Sequence, residues 1–173
     1  MKTTFKAVTE AKDGLTISCQ ARDFEYTLDE PKELGGNDMG MNPVESILCS
    51  LGACKSIVVK AFARAHKIKI NSVRIELEGV LDPDGFLGKN PDAKIGFSEI
   101  KTHFFIDADN TAEEITRYID FVERNCPVQD TIVNAPDFKT EITLIDEELE
   151  KAVYSLKRRN KNEDIRKNAD VLI

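Results

Sequence analysis

Asn42-Pro43-Val44-Glu45-Ser46-Ile47-Leu48-Cys49-Ser50-Leu51-Gly52-Ala53-Cys54 decides how this chain is read. Around Pro43 the pattern of apolar residues changes period. Ile47, Leu51, Cys54, Val58 and Phe62 are spaced by 4, 3, 4 and 4 residues, which is the stripe of one helix face. The spacing predicts a helix of about 20 residues running to His66. Gly52 and Ala53 lie beside Cys54 and are small, so the helix can approach a neighbour closely there. Glu45, near its start, suits the positive end of the helix dipole.

Outward from this helix, the upstream residues read as strands. Asp13-Gly14 is a hairpin signal between Phe5-Lys-Ala-Val and Leu15-Thr-Ile-Ser-Cys. A third strand, Phe24-Glu-Tyr-Thr-Leu, leads into a breaker-rich loop from Pro31 to Pro43 that contains Gly35-Gly36. Downstream, strands are expected over Ser72 to Leu81 and Phe97 to Asp107, joined by a loop with Pro83, Gly85, Gly88 and Pro91. Thr111 and Glu114 form a capping-box pair ahead of a helix whose stripe is Ile115, Tyr118, Ile119 and Val122. Cys126-Pro127-Val128 opens a short helical piece, with proline at a first helical position. A last strand is expected from Phe138 to Ile145. The order is βββ-α-ββ-α-(short α)-β, an α+β domain with helices on one face of mostly antiparallel sheets. Residues 1–145 form that domain and residues 146–173 a charged helical extension. The extension holds seven acidic and seven basic residues, so the net charge of −7 belongs to the first 145 residues. A surface or dimer-docked helical extension is the plain reading of it, and a separate scaffold or partner-binding role the other.

The 173 residues suit one domain with an appendage. A pI near 5.0 argues against nucleic acid or an anionic membrane as partner, because phosphates demand an excess of Lys and Arg. With no Trp and three Tyr, the chain offers no aromatic platform for bases or sugars. The first ten residues lack the apolar stretch of a signal peptide, and no run approaches the length of a membrane span. A cytoplasmic protein is therefore expected, where thiols stay reduced.

Cys19, Cys49, Cys54 and Cys126 are separated by 30, 5 and 72 residues. Without a Cys-x-x-Cys pair, a structural zinc site is not expected, and no metal or cofactor is expected. Cys19, on a strand, and Cys49, about 140° around the helix from Cys54, are expected to pack. Cys126 stands at a helix N-terminus, a setting that lowers a thiol pKa. His66 and His103 read as structural, and Lys67 and Lys69 as solvated charges.

Together, the stretch from Asn42 to Cys54, Cys126-Pro127-Val128 and the upstream Leu34-Gly35-Gly36 resemble the osmotically inducible protein C (OsmC) and organic hydroperoxide resistance (Ohr) superfamily. The resemblance covers residues 3 to 145. It implies an α+β fold in which two chains interlock as a homodimer around the cysteine-bearing helix. It also implies active sites at the dimer interface, with Cys54 as peroxidatic thiol and Cys126 as resolving thiol. The implied activity is a thiol-dependent peroxidase that reduces organic hydroperoxides and is recycled by an external dithiol. Glu45 is carried over as a catalytic residue, displaced by one because Val44 follows the motif proline, as in branches with Pro-x-Glu. Lys12 stands where the enzymes have an arginine. The alternative is a non-catalytic module of the same fold that binds an apolar or acyl ligand at the dimer interface.

Overall fold

The computed structural model of the protein describes residues 1–144. Three strands, β1 (Val8–Ala11), β2 (Ile17–Ala21) and β3 (Phe24–Leu28), form an antiparallel sheet in sequential order. Helix α1 (Pro43–Phe62) follows, then a hairpin of β4 (Ile70–Val80) and β5 (Glu99–Ala108), then α3 (Ala112–Arg124) and α4 (Pro127–Val133). A single turn, α2 (Pro83–Phe86), lies in the β4–β5 connection, where a loop is expected from the sequence. The first compact unit spans Met1–Ala135, and a second begins at Pro136.

The turns follow local chemistry. Gly14 adopts φ 66° between β1 and β2, where a left-handed conformation is inexpensive only for glycine. The first strand begins at Val8, later than expected, and Phe5 is exposed. The β3–α1 loop is organised by Asp29, which is buried at the end of β3. Its carboxylate accepts from Thr16 Oγ1 at 2.9 Å, from the Glu30 N–H at 2.8 Å, and from the Asn37 and Met39 N–H groups at 3.3 Å. Burial raises the Asp29 pKa, but the hydrogen bonds from Thr16, Glu30, Met39 and Asn37 together outweigh it and hold the group below its ordinary value.

Helix α1 is fixed at its head by a capping box. The Glu45 N–H donates to Asn42 Oδ1 at 2.9 Å, and the Asn42 N–H donates to Glu45 Oε2 at 2.8 Å. Thr111 and Glu114 repeat the device at α3, as expected. The helix ends at Phe62, one turn before His66, and Lys67 takes a left-handed φ of 57° in the turn that follows. Its buried face is Leu51, Gly52, Lys55, Val58 and Val59. The expected stripe is thus rotated: Leu51 and Val58 are buried and Cys54 is half-buried, while Ile47 and Phe62 are exposed. Gly52 faces the β4–β5 sheet so closely that a Cβ there would lie 2.7 Å from Leu77 Cδ1.

The core joins Val58 and Val59 of α1 to Ile68, Tyr118 and Val122, with Val73, Phe104, Ile115 and Ile119 packed against it. Removing side chains of this kind from water contributes about 1.5–3 kcal/mol each. The α3 stripe is the one expected. His66 lies against Tyr118 and Phe121, with ring centroids 5.2 and 4.1 Å away. His103 points outward and stacks on Phe105.

The strand expected from Phe138 to Ile145 does not form among residues 138–144. Phe138, Ile142 and Leu144 are exposed. Alternation alone does not make a strand, whose N–H and C=O groups need a neighbouring edge to pair with. The helical extension expected over residues 146–173 lies outside the described residues.

Candidate active site

Cys54 lies about three turns into α1, half-buried, and Cys126 is the N-cap of α4, 1% exposed. Both are free thiols. The fold brings these two near one another, and the neighbouring Cys54 favours the protonated form of Cys126. The N–H of Gln129 donates to Cys126 Sγ at 3.5 Å.

The expectation that the helix N-terminus lowers the Cys126 pKa is corrected by this surrounding. Burial pushes the thiol above its ordinary value, and the nearness of Cys54 adds to the rise. The N–H groups of Gln129 and Val128 work the other way and are outweighed. A buried thiolate loses more from leaving water than one short turn of donors returns. Cys19 is buried, as expected, but Cys49 is exposed in the single chain and does not pack.

Glu45 does not reach Cys54 of its own chain. Nine residues along a helix amount to about 180° and about 13.5 Å of rise, and its carboxylate is held in the capping box with Asn42. Lys12 forms an ion pair with Glu10 on the exposed first hairpin. Arg22 lies over the Phe24 ring at 4.8 Å.

Two charged residues close in sequence to the thiols, Lys55 and Glu123, escaped sequence reasoning. Lys55 is 2% exposed. Its Nζ donates to Thr102 Oγ1 of β5 at 2.9 Å and to Glu123 Oε1 of α3 at 3.1 Å, and it lies 5.5 Å from the centre of the Phe104 ring. A cavity of about 280 Å³ opens beside this pair, lined in part by Leu51, Ile100, Gln129 and Ile132. Periodicity counts lysine as polar and sends it to solvent. The one available signal was its position, four residues after Leu51 and three before Val58.

Among the described residues, no group of three or more His, Cys, Asp or Glu side chains is placed to hold a metal ion, and no helix is long and apolar enough to cross a membrane.

The fold has two antiparallel sheets, a long helix that carries one thiol and a short helix with a second thiol at its head. The chain belongs to the OsmC-like protein family, whose model matches residues 35–141. It is 33% identical over 134 residues to a hydroperoxide reductase of Mycoplasma genitalium, covering 76% of this chain and 89% of that protein. To a hydroperoxide reductase of Mycoplasma pneumoniae it is 30% identical over 123 residues, covering 70% and 81%. The crystal structure of an OsmC-like protein from Mycoplasma pneumoniae superposes with a TM-score of 0.69 at 25% identity, over 84% of this chain and all of that one.

Proposed function

We propose that the protein is a thiol-dependent peroxidase that reduces organic hydroperoxides. The observation that carries this reading is the pairing of two free thiols, one half-buried on α1 and one at the head of α4. The names of the Mycoplasma relatives support the substrate class.

The thiolate of Cys54 attacks the outer oxygen of the O–O bond. The bond breaks, the alkoxide leaves and takes up a proton as alcohol, and Cys54 becomes a sulfenic acid. Cys126, which retains its proton until it reacts, then attacks the sulfenic sulfur. An S–S bond forms and water leaves. An external dithiol restores both thiols by exchange and is itself oxidised to a disulfide. Half-burial of Cys54 suits apolar hydroperoxides.

The working unit is proposed to be a homodimer, in the cytoplasm. Val8, Phe24 and Tyr26 of the first sheet are exposed in the single chain, as are Ile47 and Ile57 of α1, the latter 65%. Apolar side chains on so many elements call for a covering surface. Glu45 lies on the far side of α1 from Cys54, so its proposed catalytic part belongs to the site of a second copy.

Purified protein is expected to consume cumene hydroperoxide with a dithiol, and Cys54→Ser is not. Equal rates for the two would end the enzyme reading. They would favour an apolar or acyl-ligand module, to which the pairing of Lys12 with Glu10 also lends support.

A further inference from the structure

Lys55 is a charge that α1 carries into the interior, next in sequence to Cys54. Its partner Glu123 lies in the last turn of α3, three residues before Cys126. Stability alone is a weak reason for such a pair. Burying an ammonium is costly, and the return is weakened because the carboxylate partner stays 40% exposed to solvent. An ion pair does have direction and length, which apolar packing lacks. The cavity of about 280 Å³ beside it shows that packing leaves the spacing of these elements open at this level.

Lys55 is not placed to stabilise the Cys54 thiolate, since adjacent residues on a helix diverge by about 100°. What it touches is the element that leads into the second thiol. A disulfide forms only within a window of about 2.4 Å in Cα separation, from 4.4 to 6.8 Å, so small movements of α1 against α3 decide whether it closes.

We propose that the Lys55–Glu123 ion pair, with its lysine buried and its carboxylate half-exposed, is a positioning clamp that holds α1 against α3 so that Cys54 and Cys126 can close a disulfide. Lys55 and Glu123 are positioning residues in this scheme, Thr102 only an anchor of the lysine. The proposal rests on the dithiol reading above, but its test needs no peroxide.

The test equilibrates full-length protein carrying Cys49→Ser with reduced and oxidised glutathione. The two thiols give two electrons and two protons to oxidised glutathione, leaving the protein disulfide and two reduced glutathiones. The equilibrium constant measures the effective concentration of one thiol at the other. Lys55→Met combined with Glu123→Leu removes the clamp while filling its space, and is expected to lower that constant about tenfold or more. Thr102→Val loosens the same cluster without breaking the tie between helices, and is expected to stay within about twofold of the parent. Glu123→Gln keeps the shape without the charge and is expected to fall about threefold, which reads the clamp even where the double variant does not fold.

An unchanged constant in the double variant would overturn the proposal; where that variant does not fold, an unchanged Glu123→Gln would. So would an equal fall in Thr102→Val, which would mark general loosening, or a parent protein that never closes the disulfide. A parent that closes it in glutathione but does not consume hydroperoxide contradicts the peroxidase reading instead, and leaves the clamp standing.

Discussion

Tyr118 Oη donates a 2.6 Å hydrogen bond to the backbone carbonyl of Val59, both residues being buried, so α3 is bolted to the helix that carries Cys54. Tyr118→Phe keeps the ring and deletes the bolt. The expected loss is about 1 kcal/mol, the net value of such a bond, read as a lower urea midpoint with unchanged slope. An unchanged midpoint would show that the bond contributes nothing.

Two glycines separate close approach to a side chain from close approach to backbone. A Cβ at Gly52 meets the tip of Leu77 at 2.7 Å, and a tip can turn aside. Gly52→Ala also gains helix propensity, so stability is expected to change by less than about 1 kcal/mol. At Gly36 a Cβ would lie 1.8 Å from the Glu30 carbonyl oxygen. That carbonyl accepts from the Asp38 N–H, so the loop cannot yield without losing its own bonds. Gly36→Ala is expected to cost roughly 3 kcal/mol, measured by denaturant unfolding.

Asp29 makes the fold acid-sensitive. Its folded-state pKa lies below the ordinary 3.8 because its hydrogen bonds outweigh burial. A depressed carboxylate contributes stability that is present above the unfolded value and lost as pH falls through the folded one. Subtracting the unfolding free energy of Asp29→Asn from that of wild type at each pH is therefore expected to give a difference that is flat at neutral pH and shrinks below 3.8. A difference independent of pH down to pH 2 would contradict the assignment.

Alkylation separates the thiols. In a single chain Cys49 is exposed, whereas Cys126 is buried with its pKa raised above 9.0 by burial first and Cys54 second. Iodoacetamide at about pH 8 is expected to leave Cys126 among the last modified, since only the thiolate reacts. Peptide mass mapping that finds Cys126 modified ahead of the others would refute this. Protection of Cys49 that is lost on dilution would place it at the interface between copies.

Where backbone chemistry is local, the sequence was legible. The Asp13-Gly14 turn, the Thr111–Glu114 box and the α3 stripe are each written in a few adjacent residues, and each is present. Cys126 stands out through its local setting at a helix N-terminus, whereas Cys54 is singled out only by the motif resemblance, and their nearness is a property of the fold. What failed did so because the deciding partner is distant. Lys55 is buried through Glu123, 68 residues away, and no window around α1 contains that carboxylate. The last strand failed similarly, because alternation from Phe138 onward does not say which edge it pairs with. The Cys126 pKa was misjudged because a helix N-terminus is visible in sequence and burial is not.

In the proposed reaction, electrons pass from two thiols to a hydroperoxide. Intact mass after one equivalent of cumene hydroperoxide, without reductant, tests it most directly. A loss of about 2 Da is expected, for the two hydrogens of Cys54 and Cys126, and it is expected to disappear in Cys126→Ser. There a sulfenic acid on Cys54 is expected instead, heavier by about 16 Da. An unchanged mass in the wild-type protein, or the same loss in Cys126→Ser, would contradict the account.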